Sequence, residues 1–447
     1  MKPRVRTDAR PLDLFQAQFD QILNLDHPLV VLAGQIDWSL FEVALEECFH
    51  PEVGAPALPM RLMVGLLYLK HTFNESDESL LERWVENPYW QYFCGFHTFQ
   101  HELPLHPTSL VKWRQRMGAE RLQTLLQETI SLALREQQVT ARELQQVNVD
   151  TTVQEKNITH PTDSKLMRAA ITKLAKAAKQ RGLRLRQTYV RVAQRAAIQT
   201  SRYAHAKQFQ RMRRELRRLR TWLGRVLRDI RRQQPAGDEP LESLLTLCER
   251  LHRQQPTDSN KLYSLHEPDV VCISKGKAHK RYEFGQKIAL ATSNRRNWIV
   301  GVEVCPGNPY DGHTLASTLA SITRTTGLDV QSAFVDKGYR GHGYQGTATI
   351  HIAGSSSRGL PRTLQRRRKR RNAIEPKIGH LKSDHRLGRC FLRGLPGDAI
   401  NAVLSAAGSN LRKLLRRLFF VPAFLHWLAE LTRQNHNLRL NPIPTPA

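Results

Sequence analysis

Between Lys165 and Arg232 the chain carries 22 lysines and arginines against two acids, Glu215 and Asp229. Within it, Leu216, Leu219, Leu223, Val226 and Ile230 recur at spacings of three and four, the mark of helix with one buried stripe. The pattern predicts a hairpin of long helices with arginine on the remaining faces. A face of one sign this long repels itself, so it calls for a polyanion whose phosphates are held without reading sequence. Arg213, Arg217 and Arg220 are the candidate contacts. The whole chain, 447 residues at a net charge of +28, points the same way, to nucleic acid ahead of an anionic membrane surface.

Other segments read differently. Up to about residue 145, PALPMRLMVGLLYLKHTF and DESLLERWVENPYWQYFCGF have helical spacing, with turn and cap residues at Asn74-Glu75-Ser76-Asp77. Thr108 or Ser109 is the expected cap of the helix that follows. This gives a compact all-α N-terminal domain (1–145) with a helix-turn-helix flavour; the overall charge favours DNA binding, with a docking or dimer module as the alternative. VNVDTTV (147–153) is a short β-branched strand carrying one acid, within a segment 146–164. The basic helical insertion then spans 165–255, with a further helix at LESLLTLCERLHR. From 256 to 434 strands return. KRYEFGQKIALATS and NWIVGVEVC flank a turn at Asn294-Arg295-Arg296 as a hairpin. Asp311 is placed to cap a helix. QSAFVDKGYRG ends a strand in Asp336, TATIHIAG is a fifth strand, SSSRGLP a loop, and GDAINAVLSAAGSNLRKLLRRLFF an amphipathic closing helix. Residues 435–447 read as a tail.

Several chemistries are disfavoured. The six cysteines form no C-x-x-C pair, so a structural zinc site is not expected and the thiols read as reduced. RLFFVPAFLHWLAEL is too short and broken to span a bilayer. MKPRVRTDARPLDLF has no apolar core of a signal peptide. There is no Gly-rich phosphate loop ending in Gly-Lys-Ser/Thr. The expected setting is cytoplasmic.

Three acids stand out. Asp150 lies on a central-looking strand, Asp336 at the end of another, and Glu375 at a helix start behind six consecutive bases, Arg366 to Arg371. A buried carboxylate needs a compensating cation, either a nearby Arg or Lys or a divalent ion. Three carboxylates at one sheet edge repel one another without metal. Two Mg²⁺ ions would relieve that repulsion and bind phosphate oxygens. Singly, each acid would serve as a cap or a salt-bridge partner.

VDTTVQEKNITHPTDSKL, FVDKGYRG and RNAIEPKIGHLKSDHRLGR resemble three blocks of the DDE transposases of bacterial insertion sequences, of the insertion-sequence-five type. EFGQKIAL and the N-terminal helices are similar too, and the resemblance runs from about Phe41 to Leu411. It implies an α/β catalytic core, a ribonuclease H-like mixed sheet with flanking helices, in which Asp150, Asp336 and Glu375 hold Mg²⁺, two ions, with Mn²⁺ as substitute. The family signature Y-x₂-R-x₃-E-x₆-K is matched by Arg371, Glu375 and Lys382, with Arg368 in place of the tyrosine. Glu375 and Lys382 share a helix face, and Pro376 places the regular helix start near Glu375. If Arg371 and Lys382 merely neutralised Glu375, the triad would lose its metal. Lys287 and Lys337 are weaker phosphate candidates. The implied partners are transposon-end and target DNA and a second protomer in a synaptic dimer. A related nuclease that cuts without joining, and a DNA-binding protein without catalysis, are the alternatives.

Overall fold

The computed structural model describes residues 17–49, 57–233, 237–274, 281–354 and 359–440, with side chains to residue 418. The N-terminal MKPRVRTDARPLDLF, most of SSSRGLP and the residues after Leu440 lie outside the described residues.

The acid-bearing strand is longer than VNVDTTV. Its β-branched residues extend into β1, Gln146–Lys156, eleven residues long and covered on both faces. Beside it lies β3 (Tyr282–Ser293), antiparallel, with Asp150 opposite Leu290. The expected hairpin joins β3 to β4 (Ile299–Cys305), and β2 (Val271–Ser274) pairs with the start of β3. On its other side β1 runs parallel to β5 (Ser332–Val335), and β5 runs parallel to β6 (Thr349–Ile352). A short β7 (Arg389–Cys390) joins the far end of β1. The result is a mixed sheet of seven strands with β1 at its centre.

Gly285 in EFGQKIAL is dictated by close approach. A Cβ there would stand 1.9 Å from the Gln154 carbonyl oxygen on β1. Two residues further along β1, the Lys156 ammonium is enclosed by Asp398 (2.8 Å) and Glu267 (3.3 Å). A charge so deeply buried is tolerated because it is paired and hydrogen-bonded.

The helices before residue 145 pack directly on the sheet and the terminal helix. Phe41, Leu66, Trp84 and Leu126 share one continuous core with Val149 and Ile299 of the sheet and Leu404 of the terminal helix. That helix, Gly394–Leu440, runs past the expected tail boundary at 435, and its stretch from Ile400 to Leu411 is buried rather than amphipathic. Small residues let it sit deep: a Cβ on Gly408 would meet the His71 backbone carbonyl carbon at 2.6 Å. Its buried Asn410 accepts from Ile299 N (3.0 Å) and donates to Ile299 O (2.9 Å), which satisfies the edge of β4. Helix Pro107–Arg135 is capped by His106, whose ring accepts from Thr108 N, not by Thr108 or Ser109. Gly118, at φ +70°, breaks its regularity.

The basic insertion has a separate core. Instead of a hairpin it is four helices, Asp163–Gln180, Val190–His205, Phe209–Gln233 and Glu239–Arg253. Ile171, Leu174, Leu223, Ile230, Leu245 and Leu251 meet inside it. Among the described residues no single helix is long and apolar enough to cross a membrane.

Two buried histidines tie helix Met60–Phe73 to the segment after Asp384. The His385 ring nitrogen Nδ1 lies 2.8 Å from the His71 carbonyl. Burial lowers the His385 pKa from 6.5 to about 4. The unfolded chain therefore takes up a proton that the native state refuses, and stability falls as pH drops from about 6.5 toward 4. Urea unfolding at pH 5 is expected to show roughly 2 kcal/mol less stability from this group than at pH 7.5. A His385→Gln protein should lose that part of the pH dependence; an unchanged pH dependence would exclude His385 as its source.

Candidate active site

Parallel pairing sets two of the acids side by side. Asn148 on β1 is in register with Phe334 on β5, so two residues further along each strand come Asp150 and Asp336. The Thr151 amide donates to Asp150 Oδ1 at 2.8 Å. Asp336 ends β5 and caps the 3-10 turn Lys337–Tyr339, its Oδ1 accepting from Gly338 N at 2.8 Å.

Glu375 arrives from a distant part of the chain. Helix Arg362–Arg370 passes through the 3-10 turn Arg371–Ala373 into helix Ile374–Asp384, with Glu375 and Pro376 in its first turn. Asparagines fix this junction to the sheet by donating to its unpaired carbonyls. Asn294 donates to the Arg367 carbonyl (2.9 Å) and to Asn148 Oδ1 (2.6 Å), and Asn297 donates to the Ala373 carbonyl (3.2 Å). The anchoring leaves Arg371 buried beneath the helix junction.

Arg371 is the point on which the three acids meet. Its guanidinium lies 2.9 Å from Asp150 Oδ2, 3.7 Å from Asp336 Oδ2 and 3.3 Å from Glu375 Oε1. The acid side chains grade from 16 % exposed at Asp150 through 37 % at Asp336 to 64 % at Glu375, so the site is a sheet edge opening toward solvent. One buried cation faces three anions, leaving an excess of negative charge. The carboxylate oxygens are hard donors of the kind Mg²⁺ and Mn²⁺ take. In the arrangement seen they surround the guanidinium, and among the described residues no three His, Cys, Asp or Glu side chains stand close enough to share an ion. The donor chemistry suits a divalent cation, and Arg371 stands among the oxygens that would hold it.

A fourth acid belongs here that sequence reasoning assigned to a cap. Asp311 caps nothing with its side chain; its Oδ1 accepts from Thr151 Oγ1 (2.9 Å) and Lys287 Nζ (2.9 Å). Its Oδ2 lies 3.3 Å from the position a Gly338 Cβ would occupy, and Asp336 Oδ1 lies 3.0 Å from the same point. A side chain at 338 would press on both carboxylates. Tyr339 is fully buried beside them. Burial first, then the charges of Asp150 and Asp311, push its phenol pKa well up, so it stays protonated. The sequence signal was present in NPYDGH and DKGYRG, but nothing local distinguishes a capping Asp from one reaching across to a strand.

The other candidate cations are scattered. Lys287, expected at a phosphate, is buried and donates to Asp311 and to the Pro309 carbonyl. Lys382 lies 3.9 Å from the buried Glu283 on β3. Arg368 donates to the Ile352 carbonyl at the end of β6 (2.9 Å), so the arginine at the signature's tyrosine position ties the basic helix to the sheet. Lys337 is exposed beside Asp336. Arg213 and Arg217 are exposed on the insertion's own bundle, while Arg220 donates to the Gln254 carbonyl.

Two family models match parts of the chain. Residues 17–116 match the family described as "Transposase domain (DUF772)", and residues 339–415 match "Transposase DDE domain". A protein of Rhizobium meliloti described as "Uncharacterized protein ORF8 in nfe locus" is 50 % identical over 209 residues, 47 % of this chain and 100 % of that protein. No solved structure matches. The chain belongs to one family with the Rhizobium meliloti protein and carries DDE transposase domains.

Proposed function

We propose that the chain is a DNA transposase of the insertion-sequence-five type, which cuts the ends of its element and joins the freed 3′-hydroxyl to target DNA. The observation that carries this reading is the meeting of Asp150, Asp336 and Glu375, from three separate segments, on one arginine at the sheet edge. The strand order supports a ribonuclease H-like core: β4, β3 and β1 are antiparallel, and β5 and β6 continue parallel to β1.

Held by these three acids, a pair of Mg²⁺ or Mn²⁺ ions would supply Lewis acidity to activate water and stabilise the leaving oxygen. The chain's own groups prepare that chemistry. The amides of Thr151 and Gly338 orient Asp150 and Asp336. Asp311, neutralised by Lys287, fixes the Thr151 side chain. The exposed Lys337 beside Asp336 would meet a phosphate, and the insertion's exposed Arg213 and Arg217 would grip flanking DNA. Terminal inverted repeats are bound by the N-terminal helices together with the insertion, in a homodimeric synaptic complex.

The test is a cleavage assay on a labelled duplex spanning the gene's own flank, with Mg²⁺ or Mn²⁺. A nick at the repeat boundary followed by strand-transfer products is expected. Nicks without joined products would make it a non-joining nuclease; binding with no nick in either metal would overturn the enzymatic reading.

A further inference from the structure

Behind the helix that carries Glu375 lies a cavity of about 520 Å³. Its walls are the end of helix Met60–Phe73, the β3–β4 turn, helix Ile374–Asp384 and the terminal helix. Lys377 is two residues beyond Glu375, about 200° around the helix, so the cavity opens on the face opposite the triad.

The lining is strongly basic. Arg296, Lys377, Arg412, Lys413 and Arg416 all border it. Asp384 is the acid among the lining residues, and it is engaged by His380 (2.9 Å) and Ser383 Oγ (2.6 Å). Arg296 has a carboxylate neighbour in Glu143 at 3.5 Å. Among the described residues Lys377, Arg412 and Arg416 form no ion pair with a carboxylate, while Lys413, which donates to the Arg296 carbonyl, also lies in the field of Glu143. The Lys377 ammonium donates to Ser409 Oγ at 2.7 Å, Arg412 donates to the Thr72 carbonyl at 3.3 Å, and Lys413 lies 4.6 Å from the Trp298 ring centre. Burial, with Arg296 beside it, lowers the Lys413 pKa to about 8. Elsewhere the buried cations Lys156 and Arg371 are matched by acids. Here like charges, partly to fully exposed, are held together around one concavity, where they repel one another. Hydroxyl donors stand among them.

We infer that this cavity is a phosphate-binding site, separate from the triad, whose occupant is a backbone phosphate of bound DNA. A phosphate here bridges helix Ile374–Asp384 to the terminal helix and so pins the element that carries Glu375 from behind. The inference concerns binding alone and stands or falls independently of cleavage.

The experiment uses the full chain without metal. Inorganic phosphate is titrated against chloride at equal ionic strength while the unfolding midpoint is followed. A duplex of scrambled sequence is titrated in parallel across a salt series. Wild type is compared with Lys413→Gln/Arg416→Gln, with Arg416→Gln alone as a milder variant at an exposed position, and with Asp336→Asn. Phosphate is expected to raise the wild-type and Asp336→Asn midpoints by several degrees and the double variant's by much less. Duplex affinity should fall roughly tenfold in the double variant, and the salt slope by about two, with about half that change in slope for Arg416→Gln. Lost phosphate protection with unchanged duplex binding would keep the phosphate site but overturn DNA as its occupant. Equal protection and equal duplex binding in all proteins would overturn the site itself.

Discussion

Asp150→Asn protein is expected to bind DNA normally and to cut it at least about 10³-fold more slowly, the scale on which loss of one preorganised charged group is felt. Asp150 is the most buried of the three acids and is mounted on the central strand, and the nearby Asp311 is held by Thr151 and Lys287. Asparagine keeps the shape and can still accept from the Thr151 amide. What disappears is one negative charge and one hard oxygen ligand. The metal-free protein should lose stability too, by roughly 1–2 kcal/mol, because the buried Arg371 keeps only its weaker partners. The two readouts are nicking in Mn²⁺ and the unfolding midpoint. Cutting at wild-type rate would remove Asp150 from the catalytic group, whereas loss of cutting together with DNA binding would show misfolding instead.

How far the site was legible in sequence depended on range. β1, the β3–β4 hairpin and the strand leading to Asp336 were readable because β-branched runs ended by turn residues are local signals. The first-turn position of Glu375 was readable from Pro376. The resemblance supplied the grouping of the three acids, which no spacing could give. The contacts that hold the site were not readable. Asn148, Asn294 and Asn297 are ordinary polar residues until a helix end is laid over them. Asp311 occupies a good cap position, and its reach to Thr151 spans 160 residues of sequence. The N-terminal helices read as a separate domain because a stripe's spacing does not say what covers it, and here the sheet and the terminal helix share that cover. The insertion's own core was legible as a stripe of leucines, but four helices rather than the expected hairpin and one further helix were needed to cover it.

The second large effect concerns the cation at the centre. Arg371 was expected beside DNA phosphates, and the structure gives it all three acids instead. A guanidinium there does electrostatically what a divalent ion would do, since it relieves repulsion among the three carboxylates. On the proposed function, ion and arginine would compete for the same oxygens, and a DNA phosphate would be the anion to receive Arg371 as the ion enters. Arg371→Gln protein should therefore bind Mn²⁺ roughly tenfold more tightly in the absence of DNA, a modest fraction of the several kcal/mol that a unit charge at this range can exert. Without metal it should be less stable than wild type, and saturating Mn²⁺ should recover about 3 kcal/mol at a hundredfold excess over Kd. Cleavage should nonetheless fall by about 10², because the residue that would meet the phosphate is gone. Calorimetric Mn²⁺ titration of wild type, Arg371→Gln and Arg371→Lys decides the point, with lysine falling between the two. Weaker Mn²⁺ binding in the glutamine variant would mean that Arg371 shapes the acids for metal rather than standing in its place.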